Sequence, residues 1–194
     1  MYALVEDNNI TKLINNPQSL VIGDVRYPVK IFSLWSKSEL EAIGIYEVIT
    51  DSSNKKDEQW YVNTSESYAF ADSQVTRSWG TATAKPHADV TQTINEVEYT
   101  TPGLKTKLIK DLKITVANEL ARTDWYITRN TEKSTAIPSA ISTHRDAVRT
   151  KQAEMETAIT NASDTLALET LYTFTEQEDG SFTRPLGELP ILES

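Results

Sequence analysis

The chain has 194 residues, with 28 acidic against 19 basic side chains and a formal net charge of -9. That balance speaks against a nucleic-acid binder working by general attraction to phosphate. The absence of cysteine excludes disulfides, Cys-type zinc sites, iron–sulfur clusters and a thiol nucleophile, and fits synthesis in a reducing compartment. No apolar run approaches the roughly 18–20 residues of a membrane helix, so no membrane insertion is expected. The N-terminus lacks the basic stretch and cleavage signature of a secretory signal.

In chain order, Tyr2 to Val5 and Ile10 to Ile14 are apolar-rich runs separated by Glu6-Asp7-Asn8-Asn9, which predicts a β-hairpin because Asp and Asn tolerate turn geometry. Asn16-Pro17 breaks the second run. Tyr27 to Trp35 is apolar, with Pro28 near its start. Ser36-Lys37-Ser38-Glu39 is a capping box and predicts a short helix with Leu40 and Ile43 facing inward, closed by Gly44. Ile45 to Ile49 then reads as a strand. Gln59 to Thr64, Ser67 to Ala71 and Val75 to Thr83 are further strand candidates, after a turn-like stretch at 51–57. Val90 to Tyr99 reads as one partly alternating stretch with no firm register.

From Pro102-Gly103 onward the pattern is helical. Leu104, Leu108, Leu112, Val116 and Leu120 recur every four residues, opposite Lys105, Lys107, Lys110, Lys113 and Asn118, so the lysines form the wet face of an amphipathic helix. That helix is expected to run on through Trp125 and Ile127 to a polar loop at 129–135. Ile137-Pro138 starts the next helix, whose seam is Ile141, Val148, Met155 and Ala162 at seven-residue spacing, with Ile159 beside it. Asp164 is the expected cap of a third helix containing Leu166, Leu168 and Leu171. The fold class is α+β. A β-rich part spans 1–100 (an N-terminal module at 1–50, strands and loops at 51–100), a helical part spans 101–172, and an extended C-terminal arm spans 173–194.

Chemistry-bearing patterns are sparse. The two histidines, His87 and His144, have no metal-ligand spacing, and His144 is expected to face solvent or cap a helix. Acid pairs such as Glu39/Glu41 and Glu96/Glu98 read as solvated surface. The phosphate-loop, dinucleotide, nucleophile-elbow and zinc-protease motifs are absent from the sequence. Trp35, Trp60, Trp79 and Trp125 read as core or interface residues. No catalytic, cofactor or metal role is assigned to any residue.

The segment Thr123-Asp124-Trp125-Tyr126-Ile127-Thr128-Arg129, followed by Thr135-Ala136-Ile137-Pro138 and His144-Arg145-Asp146-Ala147-Val148-Arg149, resembles a C-terminal module of tailed-phage tail-fibre and tail-fibre-assembly proteins and of small virion proteins of marine phages. Arg26-Tyr27-Pro28, Leu34-Trp35-Ser36 and 40–46 resemble the N-terminal module of such proteins. The resemblance implies a structural, non-enzymatic component of a phage tail tip, baseplate or fibre, made in the host cytoplasm and carried in the virion. By the same analogy it contacts other tail proteins, associates with itself (a trimer is favoured) and meets a host-surface glycan or receptor. An assembly chaperone for tail fibres is the alternative, and a carbohydrate-binding or depolymerising tip protein a third. Packing or interface roles fall to Leu108, Leu112, Trp125, Tyr126, Pro138, Arg145, Val148, Arg149 and Met155. Trp125 and Tyr126 are expected to cover the next helix as an aromatic clamp, with Arg145 or Arg149 pairing with Asp124. Truncation of a clamp tryptophan costs about 3–5 kcal/mol.

Overall fold

The structure is a computed structural model that describes residues 1–192. It is α+β, and the chain divides into two compact units, one of Met1–Thr83 and one beginning at Ala84. The division precedes the 90–101 segment, which therefore joins the helices and not, as expected, the β-rich part.

In the first unit, β1 (Tyr2–Glu6) and β2 (Asn9–Ile14) form the expected hairpin. Asp7 and Asn8 both take left-handed backbone angles, the geometry a two-residue turn between twisted strands requires. Next come β3 (Leu20–Ile22) and β4 (Val25–Tyr27), a second small hairpin that the sequence pattern did not mark, then α1 (Ile31–Leu34). The capping box holds. The Ser36 hydroxyl accepts from the Glu39 amide, the Glu39 carboxylate accepts from the Ser36 amide at 2.7 Å, and α2 (Lys37–Glu41) follows. Gly44 turns left-handed (φ 82°) against the Val5 carbonyl and leads into β5 (Ile45–Thr50). Short β6 (Tyr61–Val62), β7 (Ser67–Ala71), β8 (Gln74–Ser78) and, at the junction with the second unit, β9 (Thr83–Ala84) complete this part.

The main sheet runs β2-β1-β5-β8-β7, antiparallel except for the parallel β5–β8 pair. Side-chain alternation along β1 feeds two cores. Leu4 packs with Ile14, Leu20, Ile31, Leu40 and Ile45 on one face, and Ala3 and Val5 pack with Val75 on the other. Trp60 and Trp79 are buried, in keeping with their reading as core residues.

The second unit opens with an antiparallel ribbon, β10 (Val90–Ile94) and β11 (Val97–Thr101), turning at Asn95-Glu96. The single stretch expected at 90–99 is thus two strands. Glu96 sits left-handed at φ 67°, an uncommon choice that leaves no turn signature in the sequence. Four helices follow: α3 (Leu104–Ala121), α4 (Asp124–Lys133), α5 (Ser139–Asn161) and α6 (Thr165–Tyr172). The α3 stripe buries Leu104, Leu112 and Val116, with Leu108 half-buried, and the α5 seam buries Ile141, Val148, Met155, Ile159 and Ala162 as its spacing predicts. Asp164 caps α6 through the Ala167 amide at 2.8 Å. Pro138 stands at the cap of α5, where its carbonyl accepts from Ile141 and Ser142.

Two expectations fail here. The first helix does not continue through Trp125, because it stops at Arg122 and a new helix begins at Asp124. The polar loop at 129–135 is helical to Lys133, where Ser134 closes α4 in the left-handed conformation. The arm at 173–194 also differs over its described residues. It folds into a small hairpin, β12 (Thr175–Glu176) with β13 (Phe182–Thr183), and then buries Leu186, whose amide bonds to the Leu171 carbonyl at 3.0 Å.

The N-terminus of α3 has no side-chain cap of its own. Its orphan amides are met by the chain entering the ribbon. Leu104 donates to the Pro86 carbonyl and Lys105 to that of His87, each at 3.0 Å, and the Asp89 carboxylate accepts from the Gly103 amide and the Thr106 hydroxyl. Those two hydrogen bonds, Thr106 first, hold the Asp89 carboxyl below its usual range. A Cβ on Gly103 would lie 2.3 Å from the Ala88 carbonyl oxygen, so only glycine fits this root. Gly103→Ala is expected to destabilise the second unit by about 1–3 kcal/mol in denaturant unfolding, with the first unit unaffected.

Candidate functional site

Several residues that carried the resemblance converge on the joint between α3, α4 and α5, where Arg145 pairs with Asp124 as expected, while Trp125 and Arg149 take other roles. Thr123 leaves the helical conformation (φ -119°, ψ 5°), is 2% exposed, and turns its hydroxyl back to the Leu120 carbonyl at 3.0 Å. Arg145, from the buried face of α5, closes the joint. Its Nη1 donates to the Leu120 carbonyl and to the Thr123 hydroxyl, both at 2.7 Å, and lies 2.9 Å from the Asp124 carboxylate. One guanidinium therefore adds a charged donor to the Leu120 carbonyl at the end of α3, which also accepts from the Thr123 amide and hydroxyl, and pairs with the acid that opens α4.

His144 is beside it and, contrary to expectation, only 7% exposed. Its Nε2 lies 3.1 Å from a Glu119 oxygen, while the other Glu119 oxygen accepts from Arg122 at 2.9 Å. The Arg122 hydrogen bond, partly opposed by burial and helped by His144, holds the Glu119 carboxyl below the usual glutamate range. A depressed carboxylate stabilises the fold above its unfolded pKa and loses that contribution as pH falls through the folded value. The second unit is therefore expected to lose thermal stability on acidification below about pH 4. Glu119→Gln should flatten that acid limb, as followed by circular dichroism.

The aromatic clamp is not formed. Trp125 is the second residue of α4 and begins that helix, with 51% of its surface exposed, and α4 buries no residue at all. Trp125 stacks on half-buried Tyr126 with ring centroids 3.8 Å apart, and Arg129 lies over the indole at 5.8 Å. Arg149 is exposed and pairs with Asp146 on its own helix at 3.4 Å, not with Asp124. Sequence reasoning missed Thr123, His144 and Glu119. The only local signal was the i, i+1 placement of His144 and Arg145 within the α5 apolar seam.

Among the described residues, several concave or apolar surfaces carry no covering element. All ten residues of the β10–β11 ribbon are exposed. Cross-strand register puts Val90, Gln92, Ile94, Val97, Tyr99 and Thr101 on one face, and Thr91, Thr93, Glu98 and Thr100 on the other. The first face is apolar. The second is polar, with the Thr91 and Thr100 hydroxyls 2.9 Å apart. On α3, an open groove of about 520 Å³ is lined by Thr106, Ile109, Lys110, Lys113, Ile114 and Ala117, with Ile114 half-exposed. In the first unit, the tips of the β1–β2 and β7–β8 hairpins border a depression floored by Val5 and the packed Tyr46 and Phe70 rings and rimmed by Asp7, Asn8, Asp72 and Ser73.

Among the described residues, no group of three or more His, Asp or Glu side chains is placed to hold a metal ion, and no helix is long and apolar enough to cross a membrane. Comparison with protein-family models, with curated proteins and with solved structures finds no match to this chain.

Proposed function

We propose that the chain is a structural component of a tailed-phage virion, part of a tail tip, baseplate or fibre, acting by protein–protein contact and not by catalysis. The observation that carries the assembly role is the ribbon. A two-stranded hairpin is marginal by itself in water, and this one is held at its root while the outer part of its apolar face, Ile94, Val97 and Tyr99, is about half exposed. Such a face is the mark of a segment completed by another chain. The phage setting rests on the resemblance of the 123–149 segment. The polar joint around Arg145 supports the reading, since its groups are engaged in holding helices together.

Mass spectrometry of purified particles tests the proposal. A virion component appears in fixed ratio to known tail proteins. The fibre-assembly chaperone, the alternative, is absent from particles or substoichiometric, and raises the soluble yield of a co-expressed fibre. Binding of a host glycan is a second reading, favoured by the ring-floored depression with its Asp and Asn rim, a combination that suits stacking on a sugar face and bonding to its hydroxyls. Titration with host surface polysaccharide, monitored by tyrosine fluorescence in wild type and Asp72→Ala, checks it.

A further inference from the structure

We propose that the ring-floored depression of the first unit selects a glycan that carries a free amino group, an amino sugar in its ammonium form. This deepens the glycan reading above and rests on it.

The mouth of the depression is built twice in the same way. Asp7-Asn8 joins β1 to β2 and Asp72-Ser73 joins β7 to β8, with φ of 50° and 62° in one turn and 50° and 58° in the other. Each two-residue turn therefore opens on an aspartate, and both aspartates line the depression. Among the described residues that line it, none is Lys or Arg. The Asn9 side chain donates to the Asp7 carbonyl at 2.9 Å and not to its carboxylate. Among the described residues, neither carboxylate has a hydrogen-bond or ion-pair partner. Two uncompensated charges of one sign thus stand over one concavity, and a cation bound there relieves both.

Charge alone does not name the ligand. The floor narrows it. Tyr46 and Phe70 pack with ring centroids 4.8 Å apart and planes at 59°, half-buried against the Ala3, Val5 and Val75 core. Aromatic faces hold the C–H face of a sugar ring and attract a cation. The depression, about 690 Å³, has the size of a small-ligand site. Asn8 and Ser73 on its rim supply neutral donors and acceptors that suit hydroxyls. A bare metal ion leaves the rings unused, a neutral sugar leaves the carboxylates uncompensated, and an acidic sugar is repelled. A sugar ring bearing an ammonium uses every group, since its N–H donors make charge-assisted hydrogen bonds to carboxylate.

Calorimetric titration of the full chain at mildly acidic pH tests this. The probes are two tetrasaccharides of the same linkage, one of glucosamine and one of glucose, which differ only by an ammonium against a hydroxyl on each ring. The glucosamine tetramer is expected to bind at least about tenfold more tightly. Asp7→Asn with Asp72→Asn should abolish that preference while keeping the turns, because Asn tolerates left-handed angles. Glu132→Gln with Glu178→Gln, which removes the same charge from exposed positions elsewhere, should leave it intact. Equal affinity for the two sugars overturns the amino-sugar assignment and leaves the glycan reading standing. A preference that survives the paired Asn variant, or falls as far in the Glu132/Glu178 pair, also overturns it, because overall acidity then attracts the ligand. Tetralysine binding as tightly as the glucosamine tetramer overturns it too, since the rings then select nothing. A chain that binds neither tetramer overturns the assignment, and the glycan reading falls with it only when host polysaccharide also fails to bind.

Discussion

Arg145→Ala is expected to destabilise the helical unit by about 2–4 kcal/mol in denaturant unfolding, whereas Trp125→Ala should cost under about 1 kcal/mol. The difference follows from what each side chain leaves behind. Without the guanidinium, the nearly buried Thr123 hydroxyl oxygen loses its donor and the Leu120 carbonyl loses its charged one, keeping the Thr123 amide and hydroxyl. The ion pair with Asp124 adds less, since that carboxylate is 60% exposed and solvated. Trp125 loses mainly half-exposed contact with Tyr126 and Arg129. Arg145→Lys should recover part of the loss, because the three acceptors gather around one nitrogen, Nη1, which a shorter side chain ending in an ammonium approaches less fully. Equal effects of the alanine variants at 125 and 145 would return the clamp to the indole.

Ile45→Ala should destabilise the first unit by about 2–5 kcal/mol, with Ile49→Ala, four residues along the same strand, costing well under half as much. Ile45 is fully buried among Leu4, Ile14, Leu20, Ile31 and Leu40, at the point where β5 meets β1 and the two short helices cover the sheet. Surrounding strands fix its pocket, so removal of the side chain leaves a cavity that cannot collapse. Ile49 is half-exposed and leaves little void. The comparison reads burial directly, since residue type and strand are the same.

Elements written in short-range code were legible. The Asp7-Asn8 turn, the Ser36–Glu39 box, the Asp164 cap and the seven-residue seam of α5 each depend on residues within one or two turns of one another, and each is found where its pattern placed it. What escaped depends on distant partners. His144 is a polar letter in an apolar seam, met by Glu119 from more than twenty residues away, and Arg145, which pairs with Asp124 as expected, also reaches Leu120 and Thr123, partners the pattern did not mark. Helix α4 buries no residue, so it left no stripe to read, and the Asn95-Glu96 turn lacks the glycine that would have announced it. Within the 123–149 segment, the expected Arg145–Asp124 pair is present, while the indole of Trp125 is half-exposed and covers no helix.

The way α3 begins also bears on how the second unit forms. A helix capped by its neighbouring residue can start by itself, but α3 draws its first bonds from Pro86, His87 and Asp89, across the full excursion of the ribbon. Completion of the first turn of α3 therefore depends on closing a loop of more than a dozen residues that contains a marginal hairpin. Shortening the excursion between residues 89 and 103 without disturbing its root is therefore expected to accelerate refolding of this unit, as followed by stopped-flow circular dichroism.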